Sequence, residues 1–452
     1  MSRRKLQLAL YYFYDHTTLE KHFEKMAEKG WELERMGTFW HYRETRPRKI
    51  HYAVTYFPGI GAYTPLSGSE ATFEEFCMEA GWELAAELRT MKIFKNEREN
   101  PEPLESQADI QVENLHKACR MDRIFTLATG VVGWLIVLWF LISLYFNGAG
   151  VLSDRNGILF AVLMLSVGIY TADNLITYGR WYRRAKANAE RDLSFTPTWS
   201  HRTVQILTGA AVPIGDFLFY ALSAGRFGLY LVLIFTSYFL VYYIQDRIRS
   251  YLRRQGKAAG MNLGVNCLMA FLIFLFVYGI YGAAHMNGNF SAIYDKNSFH
   301  WNREGYLPLA LEQLTDKGYR DGYLRQYHTQ SSLLLAQLSA KHFQSNEPSG
   351  DTGEEGDYLQ YVLTKVKAVA LYEFTWNAMR KTYKGEDTWE KEIDWEGAGT
   401  EVQCVCETWA ERDGKKIYRY LIGMKDRVLK IDLSFQPDAE QKKVILEKLG
   451  DI

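Results

Sequence analysis

The sequence is poor in cysteine, has no excess of charge and lacks the common catalytic motifs. Its five cysteines have neither the paired spacing of a four-ligand metal site nor that of a disulfide framework. Lys and Arg together number 53, as do Asp and Glu, and this balance argues against a nucleic-acid-binding protein. No phosphate loop, HExxH pair or GxSxG elbow is present. We therefore predict no catalytic residue, no cofactor, no metal ligand and no nucleic-acid partner.

Apolar segments are abundant in the middle of the chain. A helix needs about 20 apolar residues to cross the hydrocarbon core of a bilayer. Five segments are candidates, the fourth of them being short: 125–146, 157–176, 203–223, 227–244 and 263–283. We therefore predict a multi-domain membrane protein with a central five-helix transmembrane bundle over residues 124–284.

Basic residues are unevenly distributed among the connections between these segments. Tyr178–Asp192 and Gln245–Lys257 each contain five Lys or Arg residues, whereas the alternate connections offer one each. Basic residues beside a membrane span stay on the cytoplasmic side. No signal peptide is visible, so the first span is expected to act as the targeting signal. The pattern predicts a multi-pass protein of the cell membrane with its N terminus in the cytoplasm and, after an odd number of spans, its C terminus outside.

Two acidic residues fall within the predicted spans. Asp216 follows Pro213 in the third span, and Asp173 lies near the end of the second. A carboxylate that faces lipid is costly, so each is expected to face the bundle, to form a pair or to line a water-filled path. We interpret both as structural residues, and a proton or ion site is the alternative.

A short stretch, Gly-Trp-Glu-Leu, occurs twice in the N-terminal region. The copies, Gly30–Leu33 and Gly81–Leu84, are about 51 residues apart, and each follows a helical pattern and precedes an extended one. The order strand, helix, strand, strand, helix, strand predicts a ferredoxin-like α+β module (βαββαβ) over residues 1–98. The repeated stretch would mark the helix-to-strand corner in both halves. Residues 99–123 are predicted to form a linker and a helix that leads into the first span.

Aromatic and histidine side chains cluster on two neighbouring predicted strands of this module. Strand alternation divides them between the core and the outer face, so only some can meet a ligand. The basic and aromatic signature of an RNA-recognition domain is missing. The candidate binding face comprises Trp40, His41, Tyr42, His51 and Tyr52.

Residues 285–452 return to a globular composition. Three extended stretches near the end of the chain, TEVQCVCETWAE, KKIYRYLIGM and RVLKIDLSF, alternate as antiparallel strands and are followed by a helix. They predict an extracytoplasmic α+β domain with an antiparallel sheet. Its tryptophans are expected in the core or an interface, and a binding surface is the alternative.

Three stretches of the N-terminal module also resemble a known bacterial family. MAEKGWEL, MGTFWHYRE and EAGWEL resemble the module called domain of unknown function 2812, over roughly the first 100 residues. Proteins similar to it often join this module to membrane helices, and many are encoded near PadR-like transcriptional regulators. The resemblance therefore implies a regulatory setting and a protein partner in a PadR-like pathway, and it supplies no catalytic residues.

Together these features predict an integral membrane protein that acts by binding. Sensing, regulation or assembly, with the external domain coupled to the cytoplasmic module, is the leading hypothesis. A small transporter or transporter accessory subunit is the alternative, and an enzyme acting on lipid or cell-wall material ranks last.

Overall fold

The computed structural model describes most of the chain as two compact units. One unit comprises residues 1–135 and 162–283, and the other comprises residues 136–161 and 284–452. The described residues are 3–8, 10–37, 39–57, 68–88, 90–104, 107–191, 196–223, 244–245, 247–248, 251–252, 255–286, 300–301, 307–315, 323–344, 357–381, 391–392, 395, 402–412 and 415–450.

Helices and strands alternate near the N terminus, helices dominate the middle, and strands dominate the C-terminal part. Residues 3–286 form the strands β1 (Arg4–Leu8), β2 (Trp31–Arg35), β3 (Phe39–Glu44), β4 (His51–Tyr56), β5 (Glu83–Leu88) and β6 (Met91–Asn96). The helices of this part are α1 (His16–Glu28), α2 (Gly68–Glu79), α3 (Ala108–Ala118), α4 (Arg120–Phe146), α5 (Gly148–Ser153), α6 (Arg155–Ala189), α7 (Arg202–Ile206), α8 (Val212–Ser223) and α9 (Ala259–Met286). Residues 300–450 form β7 (His300–Trp301), β8 (Tyr323–Ser331), β9 (Leu335–Gln344), β10 (Tyr358–Val366), α10 (Tyr372–Arg380), β11 (Lys391–Glu392), β12 (Val402–Arg412), β13 (Lys415–Met424), β14 (Arg427–Leu433) and α11 (Ala439–Gly450).

The N-terminal module consists of two βαββ halves. The first half forms a sheet of order β1–β3–β2 and the second a sheet of order β4–β6–β5, with every pair antiparallel. Each half is therefore a split β-α-β unit with its last strand in the centre. The predicted ferredoxin-like sheet (βαββαβ) is wrong, because the residues that follow each glycine of the repeat form strands of their own, β2 and β5. Six strands in two sheets replace the predicted four in one.

Backbone details recur at the same spacing in the two halves. Gly30 and Gly81 have φ angles of +81° and +87°, a left-handed conformation that glycine adopts without a steric penalty. The strand that follows each glycine contains a register shift, after Leu33 in β2 and after Leu84 in β5. The repeated stretch thus marks a helix end and the start of an irregular strand in both halves.

Alanine at Gly30 is expected to destabilise the module more than alanine at Gly81. A Cβ at Gly30 would lie 2.8 Å from the backbone oxygen of Thr45, whereas a Cβ at Gly81 would lie 2.7 Å from the guanidinium carbon of Arg98, an exposed side chain that can turn away. Both variants also carry left-handed strain. We expect the free energy of unfolding to fall by about 3 kcal/mol for Gly30→Ala and about 1 kcal/mol for Gly81→Ala, measured by chemical denaturation. Equal losses would contradict this account.

The two copies of the repeat meet at one lysine. Lys95 Nζ lies 2.6 Å from a carboxylate oxygen of Glu32 and 3.1 Å from one of Glu83, the glutamates of the two copies. Arg48 also contacts Glu32, at 2.8 Å. Burial acts to raise the pKa of Glu32, but the hydrogen bonds from Lys95 and Arg48 outweigh it and hold the pKa below its usual value. The halves are therefore joined by charge as well as by apolar packing.

An apolar cluster fills the space between helix and sheet in the first half. Leu19 and Phe23 of α1 and Trp40 of β3 are all buried, and the ring centroids of Phe23 and Trp40 are 5.1 Å apart. Tilted aromatic pairs of this kind add to the stabilisation that comes from burial alone. The helix is thus held on its sheet by packing.

An ionic cluster fills the corresponding space in the second half. Glu70 and Glu74 of α2 stand about 51 residues after Leu19 and Phe23. By strand register, Lys92 of β6 corresponds to the buried tryptophan of β3. Lys92 Nζ lies 2.8 Å from Glu70 and also contacts Glu74, and both Lys92 and Glu70 are fully buried. A duplicated framework therefore carries two different kinds of core.

Two of the described helices, α4 and α6, are long and apolar enough to cross a membrane. Their most apolar stretches are only 11% and 22% buried inside the protein. An apolar core helix of a soluble protein would be mostly covered by the rest of the chain. Much of the apolar surface of α4 is left uncovered by the described chain, whereas on α6 a smaller set of apolar side chains, among them Phe160 and Ile176, is exposed.

The predicted five-helix transmembrane bundle is wrong, because among the described residues only α4 and α6 meet that description. The third predicted segment, 203–223, is divided by a π-helical turn at Leu207–Ala211. Pro213 lacks an N–H group, and its ring displaces the carbonyl one turn earlier in the helix. The fourth segment, 227–244, lies outside the described residues apart from its last position. Helix α9 covers the fifth, although most side chains in its second half lie outside the described set.

Glycines allow α4 and α6 to approach each other closely. A Cβ at Gly130 of α4 would lie 2.7 Å from the hydroxyl oxygen of Thr171, and one at Gly168 of α6 would lie 3.1 Å from the ring of Trp134. Small residues at such contacts are typical of helix pairs in membranes, where close backbone packing stabilises association.

The C-terminal part forms an eight-stranded antiparallel sheet of order β11–β12–β13–β14–β10–β9–β8–β7. Helix α11 packs on one face, where Ile445 and Leu449 join a core with residues of β10, β13 and β14. Helices α10 and α5 pack on the other face, through residues such as Met379 and Ala149. The predicted antiparallel sheet is therefore present, with a helical layer on each side.

Candidate functional site

Four aromatic residues after β1, Tyr11–Tyr14, lie between the module and helix α6. We call them the aromatic segment. Tyr11 stacks on Trp40, with ring centroids 5.0 Å apart, and Phe13 packs edge-on against Tyr56 at 5.5 Å. Tyr12 and Tyr14 point the other way, toward α6. The side chains of this segment, which ends in a turn before α1, thus alternate between two partners.

Asp173 of α6 receives two hydrogen bonds at this junction. The Tyr12 hydroxyl donates to one carboxylate oxygen at 2.6 Å, and His201 Nδ1 lies 2.5 Å from the other. Burial and the bond to Asp173 both raise the pKa of Tyr12, which keeps this hydroxyl protonated as a donor. The residue predicted as an intramembrane acid is therefore the anchor that ties α6 to the module.

Further hydrogen bonds hold the same segments together. The Tyr14 hydroxyl lies 2.5 Å from Thr177 Oγ1 of α6. Thr17 and Thr198 form a reciprocal pair, in which each backbone N–H donates to the hydroxyl of the other at 3.0 Å. The Trp181 indole donates to the carbonyl of Thr196 at 3.0 Å. The segment Thr196–Arg202, the aromatic segment and α6 form one hydrogen-bonded assembly, which we call the junction.

Arg202, the first residue of α7, completes the junction. Its guanidinium lies 4.0 Å from the centre of the Tyr11 ring and donates to the backbone oxygen of Leu10. A cation over an aromatic face contributes about 0.5–2 kcal/mol, more when it is shielded from water. The apolar core beneath is also shared, since Tyr178 and Trp181 of α6 belong to the same cluster as the core of the module.

The predicted binding face divides between core and surface. Trp40, Tyr42 and Tyr52 are buried in the core, because alternate residues of β3 and β4 point inward. His41 and His51 are half-buried; Arg35 lies 3.2 Å from His41 Nε2, and Glu24 lies 3.6 Å from His51 Nδ1. The aromatic residues of this set therefore stabilise the fold, and the two histidines are the members that a ligand could reach.

Asp216 of α8 lies apart from the junction. One of its carboxylate oxygens is buried without a hydrogen-bond partner among the described residues. Asp173 and Asp216 thus have different surroundings, and the structure gives a bonding role to Asp173.

A group of acidic residues surrounds Lys92. Carboxylate oxygens of Glu70, Glu74 and Glu87 all lie within 4.8 Å of one another, a spacing that could hold a metal ion. Lys92 already supplies a positive charge to two of the three. This favours an ionic core over a metal centre.

Burial shifts the pKa of three titratable residues of α1 in the module. It lowers the pKa of His16 to about 4 and, together with the nearby charges of Arg202 and Lys5, that of His22 to about 4. It raises the pKa of Glu20 to about 7, although the carboxylate accepts a hydrogen bond from the Val54 N–H at 2.9 Å. The fold thus favours neutral side chains at all three positions.

Glu20→Gln is expected to change the pH dependence of stability. A carboxyl whose folded pKa is raised to about 7 from 4.5 stabilises the fold at low pH and loses that contribution as pH rises between these values. The free energy of unfolding of the wild type should therefore fall, relative to the variant, by about 2 kcal/mol between pH 5 and pH 7.5. His16 and His22 act in the opposite direction, losing their contribution as pH falls from 6.5 toward 4, and are common to both proteins. Glu28→Gln, at an exposed position of α1, should keep the wild-type profile; a Glu20→Gln profile parallel to the wild type would contradict the shift.

The junction was not predicted from the sequence. The available signal is the run of four aromatic residues, Tyr11–Tyr14, directly after the first strand. Their alternation between the module and α6 depends on where α6 lies, and that information is not local.

Comparison with known proteins gives one family. No curated protein and no solved structure matches the chain. Residues 15–128, which include α1–α3 and the first turns of α4, match the model of a family described as protein of unknown function (DUF2812). The resemblance of the N-terminal module to the DUF2812 family is therefore confirmed.

Proposed function

We propose that this protein is a membrane-anchored regulatory or assembly protein that acts by binding rather than by catalysis. In this proposal α4 and α6 cross the bilayer and the DUF2812 module binds a protein partner. Exposed apolar residues along α4 support the anchoring, since Phe125, Leu135 and Trp139 are 66%, 59% and 71% exposed. Lipid is the solvent that suits such a surface.

The junction is the observation that carries the proposal. The module rests on α6 through bonds to Asp173 and Thr177 and through buried Trp181. A displacement or rotation of α6 in the membrane would strain these bonds, so two arrangements of α6 would correspond to two states of the module. A ligand or stress signal would act by favouring one state over the other.

We further propose that the module lies in the cytoplasm and the C-terminal domain outside. This arrangement requires a third crossing between α6 and that domain, and we assign it to α9, a helix of 28 residues. The basic residues that follow Asp173 along α6, among them Arg180, Arg183 and Arg184, support a cytoplasmic location for this end of the helix. The turn between the two helices contains α5, and Ser332 of the C-terminal domain donates to its Leu152 carbonyl at 2.5 Å. In this proposal the turn would lie on the same side of the membrane as the C-terminal domain that holds it.

Cysteine labelling in intact cells tests this arrangement. Lys25→Cys in the module and Glu440→Cys in α11 are exposed positions, and Cys267→Ser with Cys404→Ser removes the accessible native thiols. A membrane-impermeant maleimide should label position 440 in intact cells and position 25 only after permeabilisation. Labelling of both before permeabilisation would rule out the proposed sidedness.

Tyr12→Phe is expected to loosen the module from α6. The change removes the hydroxyl that donates to Asp173 and leaves the ring in place, which costs about 1–3 kcal/mol at a partly buried carboxylate. Amide hydrogen exchange of the aromatic segment should rise in lipid nanodiscs, while exchange in β13 should not change. Tyr251→Phe, at a 63% exposed tyrosine, serves as the matched control. Unchanged hydrogen exchange in Tyr12→Phe would show that the bond between Tyr12 and Asp173 does not hold the module to α6.

Partner binding is the direct test of a regulatory role. The family association with PadR-like regulators makes a component of such a pathway the partner we propose for the module. Crosslinking and affinity purification from native membranes, with wild type and Tyr12→Phe compared, should recover a cytoplasmic protein whose yield depends on the junction. Recovery of a transporter instead would favour the accessory-subunit alternative, for which Asp173 offers little support because it is bound to Tyr12 and His201.

A further inference from the structure

The two most exposed large apolar side chains of the described chain lie on turns of the C-terminal domain. Leu333, between β8 and β9, is 76% exposed, and Val369, between β10 and α10, is 86% exposed. A solitary exposed apolar residue needs no explanation, but two of this exposure on adjacent turns do.

Hydrogen bonds join these two turns to each other. The Lys367 N–H donates to the carbonyl of Leu334 at 3.0 Å. The Lys367 ammonium donates to Ser331 Oγ and to the Ser332 carbonyl, both at 2.7 Å. These bonds hold together the two turns that carry Leu333 and Val369 at one edge of the domain, with Lys367 between the turns.

The same edge of the domain contacts the turn between α4 and α6. Ser332, next to Leu333, donates to the carbonyl of Leu152 in α5. Phe374 closes over Gly148, where a Cβ would lie 2.7 Å from the phenylalanine ring. α5 therefore sits against the turn that carries Leu333 and against α10.

The last residues of α4 extend this apolar edge. Tyr145 and Phe146 are 70% and 53% exposed, and the Lys381 ammonium lies 5.6 Å from the centre of the Tyr145 ring. Tyrosine and lysine at the end of a membrane helix are typical of the interface between hydrocarbon and headgroups. Helix α11 packs on the face of the sheet opposite α5 and α10.

We infer that the C-terminal domain rests on the bilayer surface, with Leu333 and Val369 inserted at the level of the lipid headgroups. This inference depends on the proposed membrane crossing by α4 and α6. The occupant is lipid because the edge is continuous with the end of α4, the helix whose apolar surface the chain leaves uncovered. Lys367 and Lys381 would lie among the headgroups, where their charge is solvated and can meet lipid phosphates.

Depth measurements on the full chain in lipid nanodiscs test the inference. Environment-sensitive fluorophores are attached to single cysteines at Leu333, Val369, Trp139 and Glu440, in the Cys267→Ser/Cys404→Ser background. The four positions are exposed, so labelling should leave the fold intact, which unchanged circular dichroism checks. Quenching by nitroxide-labelled lipid and by aqueous iodide is then compared.

The result expected is several-fold stronger quenching by lipid nitroxide, and several-fold weaker quenching by iodide, at positions 333 and 369 than at position 440. Labels at 333 and 369 that behave like the label at 440, while the label at 139 is quenched by lipid, would overturn the inference and leave the membrane crossing intact. Shielding from iodide without lipid quenching would also overturn it, since protein rather than lipid would cover the edge. Absence of lipid quenching at position 139 would instead refute the membrane crossing itself.

Discussion

Lys92→Met is expected to lower the free energy of unfolding of the N-terminal module by about 3–5 kcal/mol. The ammonium lies 2.8 Å from the carboxylate of Glu70, and the two side chains are 1% and 0% exposed. Methionine has a similar length and shape, so the main loss is the positive charge. A buried carboxylate would remain without its nearest cation. Urea denaturation measures the free energy of unfolding, and hydrogen exchange of the β6 amides measures the local loss of stability.

A double variant separates charge from volume. Glu70→Leu combined with Lys92→Met removes both members of the fully buried pair and restores the leucine that the first half has at the corresponding position. Replacing a buried ion pair with apolar side chains of similar volume is often neutral or stabilising. We expect the double variant to recover most of the loss, to within about 1 kcal/mol of the wild type. A double variant as unstable as Lys92→Met would show that the site requires the ions themselves.

Trp181→Ala is expected to cost about 3–5 kcal/mol and to release the module from α6. The indole is fully buried, donates to the Thr196 carbonyl at 3.0 Å, and lies 6.2 Å from the Tyr14 ring between centroids. Alanine would leave a large cavity in the core that the module shares with α6 and would orphan the carbonyl of Thr196. Hydrogen exchange and limited proteolysis of residues 10–19 in nanodiscs should show increased opening.

Trp139→Ala provides the comparison for a tryptophan that is mostly exposed. It lies on α4 and is 71% exposed, so the same change in composition should leave exchange in the module at the wild-type level. If both variants loosened the module equally, the effect would come from helix insertion and not from the junction.

Local sequence patterns were sufficient for several elements of the fold. Gly30 and Gly81 ended α1 and α2 as the glycine positions indicated, since a helix stop depends on a few neighbouring residues. Helices α4 and α6 were visible as long apolar runs, and the alternation near the C terminus indicated β12, β13 and β14. In each case the information lies within one element.

Pairing and packing required information from distant residues. The two strands after the repeated glycines are short, and β2 carries charges at Glu32 and Arg35. The sequence pattern therefore did not predict either of them as a separate strand. The predicted single sheet failed for that reason. The prediction of a five-helix bundle was wrong because it used only the length and apolar composition of segments such as 203–223. A proline near the middle of that segment changes the helix that it forms.

The candidate site was predictable only in part. Asp173 could be selected because a carboxylate in an apolar segment needs a partner, but Tyr12 is 161 residues away along the chain. The aromatic face on β3 and β4 could not be divided between core and surface without the position of α1. Residue type indicated where a site could be, and tertiary contacts decided which residues form it.

The lysine that serves both glutamates of the repeat has a consequence for how the module unfolds. Glu32 is nearly buried and belongs to the first half, whereas Lys95 belongs to the second. If the second half opened alone, it would take a counterion away from the first. The free energy needed to separate the halves would then be added to the free energy needed to unfold either one. We therefore expect the duplicated domain to unfold in one cooperative transition, with neither βαββ half persisting as a folded intermediate.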